Sequence, residues 1–158
     1  MKSIFFALGL LLTTASCQTH QLTVTAHYPA DTLEAPLYLR GNGCGLNWDS
    51  GLRMSEVSHT DQAVTLQCQA TETVIEMKVL VGDDTWMQGA NQRVDTTVAG
   101  GKVDMYPWFY KVEGTYKVFE KVHSPQLNNN RNVIVYLPPS YTENTLKVHS
   151  NVIVMHDG

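Results

Sequence analysis

Cleaving an acyl bond by the serine route takes a serine nucleophile, a histidine base and an acid to orient it, and this chain contains all three residue types. Ser50, Ser55, Ser58, Ser124, Ser140 and Ser150 follow the leader, but none stands in a Gly-x-Ser-x-Gly turn. That turn is the strand-to-helix elbow that exposes a nucleophilic hydroxyl. The 6 histidines are scattered singly, with no His-x-x-x-His pair and no His/Cys cluster at ligand spacing. The sequence therefore calls for no metal and no cofactor. Asp83 and Asp84 lie in a turn, where two adjacent acids read as a solvated face before they read as a calcium site. His156, Asp157 and Gly158 follow the apolar run Val152 to Met155. That run predicts a strand buried on both faces, with the three residues opening the loop that leaves it.

The elements that must position such groups are strands. From Gln21 onward Leu22, Val24, Ala26 and Tyr28 alternate with Thr23, Thr25 and His27, the period of a half-buried strand. "APLYLRG", "AVTLQC" (Val64, Leu66 and Cys68 on one face), "VIEMKVLV" (Ile75, Met77, Val79 and Val81 against Glu76 and Lys78), "QRVDTTV" and "KVDMYPWFY" follow. Between residues 21 and 110 no stretch carries a 3.6-residue apolar stripe, so the expectation is an immunoglobulin-like β-sandwich. "GTYKVFEKV" and "NVIVYLPPSY" add strands separated by the Asn-rich turn "HSPQLNNNR", and Pro138-Pro139 ends the second. "TENTLKVHS" reads as a polar connector. With 43% hydrophobic and 16% charged residues the composition is globular. The formal net charge of -4, with no basic run or stripe, argues against a nucleic-acid partner.

Residues 1–16, "MKSIFFALGLLLTTAS", carry a positive Lys2, an apolar core and small residues, the pattern of an export signal whose core is short for a membrane span. "TTASC" resembles the bacterial lipoprotein signal. The resemblance implies that Cys17 becomes the acylated N-terminus and that residues 17–20 form a tether. Gln18 is similar to the outer-membrane sorting pattern, which implies a lipid-anchored outer-membrane protein of a Gram-negative bacterium. Cys44 and Cys68 remain. In an oxidising compartment they either pair or stay as two half-buried thiols.

Two further resemblances emerge from the strand pattern. Residues 21–110, through "LYLRGNGCGLNWDSGLRMS" and "EMKVLVGDDTWMQGANQRV", are similar to starch-binding carbohydrate modules. The resemblance implies that Trp86 stacks on a sugar ring and that Asn91 binds its hydroxyls, while Trp48 is structural and expected in the core. Sandwiches of this kind also serve as spacers, so glycan binding and a purely structural role stay open. After a junction at residues 111–123, residues 124–158 resemble the start of the putative esterase family related to esterase D and enterochelin esterases. Ser124, Leu127, Arg131, "VYLPPSY" and "MHDG" carry that likeness. It implies an α/β-hydrolase domain, here incomplete, in which backbone N–H groups around His156, Asp157 and Gly158 help hold an oxyanion.

The expectation is thus the front part of an exported serine esterase, mainly β, whose catalytic serine, aspartate and histidine lie outside these 158 residues. The substrate would be a siderophore, a sugar-linked acyl or feruloyl ester, or a small acyl ester. The chain alone is expected to be inactive. The competing class is a non-enzymatic surface lipoprotein whose sandwich binds glycan or a partner, with the last forty residues serving as an extra hairpin.

Overall fold

The structure is a computed structural model and describes residues 18–97, 100–149 and 151–155. The leader, Cys17 and the His156-Asp157-Gly158 loop lie outside the described residues. Strand β1 (Thr19–His27) realises the period-two pattern at the start of the chain, with Leu22, Val24 and Ala26 fully buried. It pairs antiparallel with β5 (Asp61–Gln69) and parallel with β9 (Lys102–Met105), and β4 (Ser55–Glu56) adds to the far side of β5. The second sheet centres on β6 (Val74–Val81), which pairs with β2 (Leu37–Gly41). The other edge of β6 is shared by β7 (Thr85–Trp86) and β8 (Gln92–Asp95), while β3 (Leu52–Arg53) borders β2.

These sheets form a β-sandwich. Its core draws Leu22, Val24 and Leu66 from one sheet and Leu37, Leu39, Ile75, Met77 and Val79 from the other. Burying side chains of this size stabilises by about 1.5–3 kcal/mol each. Cys44, in the turn after β2, is bonded to Cys68 on β5, so a covalent link joins the two sheets through the core. Glu72 secures the same corner, accepting the backbone N–H of Cys44 at 2.8 Å and of Gln69 at 2.7 Å. Gly43 and Gly45 flank Cys44 at φ +74° and +81°, left-handed values that favour glycine, and so allow the chain to turn into the bridge.

Beyond the sandwich, β10 (Thr115–Ser124) and β11 (Asn129–Leu137) form an antiparallel hairpin with a bulge between Phe119 and Val122. β10 takes up most of the 111–123 junction. Tyr116, Val118, Phe119, Val133, Ile134 and Tyr136 are all exposed, so both faces of this two-stranded sheet show apolar side chains. Val152 to Met155 form no strand, which corrects the strand expectation, but they are 75–87% exposed, as expected of a poorly packed tail, because no described neighbour supplies a ladder or a covering face.

"TENTLKVHS" is also more than a connector. It overlaps a short helical turn, α1 (Ser140–Glu143), which docks on the sandwich. The Glu143 carboxylate accepts the Tyr28 hydroxyl and the successive backbone N–H groups of Phe109, Tyr110 and Lys111. Asn144 is fully buried, and its Nδ2 donates to the carbonyls of His27 and Pro107, each at 2.8 Å. Burial, with the Glu143 charge beside it, pushes the Tyr28 phenol up to about 12.

Candidate functional site

The outer face of the β2–β6 sheet carries the largest constellation of fixed polar and aromatic groups that the sequence pointed toward. Alternation along β2 sends Leu37 and Leu39 into the core and leaves Tyr38 and Arg40 on the outer face. On β6 the alternation breaks at Leu80-Val81, where both faces are covered. Leu80 is fully buried yet stands apart from the sandwich core. Its cross-strand partners are Tyr38 on one side and Trp86 on the other, so the two rings flank it on that face.

Arg40 fixes the aromatic groups around this small second core. Its Nε donates to Asp83 Oδ1 at 2.8 Å and its Nη2 to the Asp83 carbonyl at 2.8 Å. Nη1 reaches the Trp48 carbonyl at 3.1 Å, and the guanidinium lies 5.4 Å from the centre of the Trp86 ring. The Arg40 bond, with a backbone donor from Gly51, holds the Asp83 carboxyl below the usual carboxylate range. Asp83 is therefore an ion-pair partner and not a merely solvated acid. A side chain at Gly51 would strike the Asp83 carboxylate, so the loop's approach to that carboxylate depends on glycine. Asn47 Oδ1 accepts the N–H groups of Asp49 and Ser50 at 2.9 and 2.8 Å, closing the turn that presents Trp48.

Trp48 corrects the core expectation. It is 36% exposed, packed not inside the sandwich but beside Trp86, which is 37% exposed. The two rings lie 6.1 Å apart with planes inclined at 35°. The reason is the Asx turn and the Arg40 contact, which hold the loop against the outer face. Asn91 does not join them closely. It precedes Gln92, which opposes Met77, whereas Trp86 opposes Leu80, three residues or about 10 Å along β6. Its Nδ2 is engaged by Glu76 Oε2 at 3.0 Å.

The sequence singled out Trp86 and Asn91 and read Asp83 as a solvated acid, while Arg40, its ion-pair partner, was missed. The Leu80-Val81 doublet was the available signal that something covers the outer face at that end of β6. A shallow open hollow lined by Gly45, Leu46, Asn47, Ser50, Gly51 and Leu52 borders the Trp48 loop. Among the described residues no group of three or more His, Cys, Asp or Glu is placed to hold a metal ion. No helix among them is long and apolar enough to cross a membrane. The arrangement offers two indole faces beside fixed hydrogen-bonding groups, a surface suited to binding a flat, partly apolar ligand. No protein-family model matches the chain, and no curated protein gives a significant match.

Proposed function

We propose that this chain is the front part of an exported serine esterase of the α/β-hydrolase type, tethered to the outer membrane through a lipid on Cys17. One observation carries the reading: β10 and β11 expose large apolar side chains on both faces. Strands of that kind belong in a sheet covered on both sides, which is the hydrolase arrangement. The "VYLPPSY" strand and the "MHDG" segment, by which the chain resembles the putative esterases, supply sequence support. In this reading the sandwich is the front module, and Glu143 and Asn144 hold the hydrolase portion against it.

The chemistry would be attack of a serine hydroxyl on an ester carbonyl, with histidine taking the proton and an acid orienting the histidine. Alcohol leaves, and water resolves the acyl-enzyme. Backbone N–H groups in the loop of His156, Asp157 and Gly158 would steady the oxyanion. The 158-residue chain should hydrolyse no ester by itself. The test is the reading frame beyond Gly158. It should encode a Gly-x-Ser-x-Gly elbow followed by an aspartate and a histidine, and the longer product should hydrolyse p-nitrophenyl esters in a manner dependent on that serine. A stop codon at this point in several independent isolates, or serine-dependent turnover by the short chain, would contradict the proposal.

A second reading rests on the paired exposed rings of Trp48 and Trp86. The sandwich then binds a glycan, a sugar ring lying on the indole surface. Titration with maltooligosaccharides should give heat that Trp86→Ala abolishes. No heat at millimolar sugar removes this reading.

A further inference from the structure

We propose that His27 is a proton-controlled staple, which when doubly protonated ties three strands of one sheet together and steadies the docking of α1, and when neutral lets that edge loosen. His27 ends β1 with Nδ1 2.7 Å from Asp61 Oδ1 on β5 and Nε2 3.0 Å from Asp104 Oδ1 on β9. A neutral imidazole has one N–H and one lone pair, so it satisfies one carboxylate and turns its lone pair toward the other. Only the imidazolium donates to both. The ring also stacks on Tyr106, with centroids 4.7 Å apart, immediately after β9.

The groups facing His27 reinforce this arrangement. Asp61 is held in its anionic form by the hydroxyl of Ser58 first, then by His27, which keeps its carboxyl below the usual range. Asp104 comes from the strand on the other side, and among the described residues these two carboxylates are the charged groups that act on the ring. Burial alone would lower the histidine, but its bonds to Asp104 and Asp61 outweigh that and raise it above the ordinary 6.5.

The staple reaches the docked turn through the backbone. The His27 carbonyl and the Pro107 carbonyl both accept Asn144 Nδ2. Holding β9 against β1 therefore keeps the two acceptors of Asn144 in register. A folded-state value above the unfolded one contributes stability that is fully present below the unfolded value and lost as pH rises through the folded one. The edge is predicted to be firm at mildly acidic pH and looser at alkaline pH.

Nuclear magnetic resonance of the whole chain from about pH 5 to about pH 9 tests this. The His27 ring should titrate with a midpoint above 6.5. Through the same range the amides of Asp104 and Met105 and the Asn144 side-chain amide should lose protection, tenfold for each unit that the midpoint exceeds the unfolded value. Met77 and Val79, in the other sheet, should stay constant. Asp104→Asn should lower the midpoint and flatten the response. A wild-type midpoint at or below 6.5, or unchanged protection of Asp104 and Met105 across the range, overturns the proposal whether or not that variant folds.

Discussion

Strands β6 and β11 have similar compositions and opposite fates. "VIEMKVLV" puts Ile75, Met77, Val79 and Val81 into the core and covers even Leu80 on the other side. "NVIVYL" is likewise rich in valine and isoleucine, yet Ile134 is 66% exposed and Val133 and Tyr136 are exposed with it. Both pair antiparallel with a neighbouring strand. What separates them is the layer opposite. β6 faces a second sheet across the sandwich, whereas among the described residues the β10–β11 hairpin has its own two strands and the short α1 turn after it. Apolar patterning thus states what a strand needs for burial, and the rest of the chain decides whether it receives it.

The largest contrast should come from matched truncations. Leu39→Ala in the sandwich should cost about 2–5 kcal/mol in urea unfolding, since it opens a cavity in a fully buried site. Ile134→Ala on the exposed hairpin should change stability by about 0.5 kcal/mol or less. Equal costs would show that the hairpin is covered in solution. Next in size is the covalent link between sheets. Replacing Cys44 and Cys68 by alanine should cost about 3 kcal/mol by the loop-entropy account. Exchange in β10–β11 should meanwhile be unaltered, because the bridge lies wholly within the sandwich.

Asn144→Ala sharpens the boundary between the two regions. It removes both donors from the His27 and Pro107 carbonyls and should cost about 1–3 kcal/mol. Proteolysis near residues 111–114 should accelerate in this variant, and no acceleration would mean that the turn does not hold the hairpin. The smallest effect is expected at the aromatic patch. Arg40→Met keeps the stem but loses the Asp83 pair, and should change stability little while altering the fluorescence of Trp48 and Trp86.

The sandwich was largely legible because period-two alternation is local. Leu22, Val24 and Ala26 in β1, and Ile75, Met77 and Val79 in β6, declare their faces within eight residues or so. The patch and the docked turn were not legible in this way. Trp48 reached the outer face through Arg40 and an Asx turn, and Asn144 acts on a carbonyl 117 positions away in sequence. Such contacts depend on how distant segments meet, which no short window contains. Val152 to Met155 failed as a strand for the same reason, since burial on both faces is a property of neighbours.

Hydrogen exchange on the 158-residue chain, read separately for β6 and β11, tests the difference between these regions most directly. An isolated two-stranded hairpin is marginally stable at best in water. Amides of Val133 to Leu137 should therefore exchange at least about a hundredfold faster than those of Ile75 to Val81. Equal protection in the two strands would contradict the account, because the hairpin would then already possess the cover that the esterase reading says it awaits.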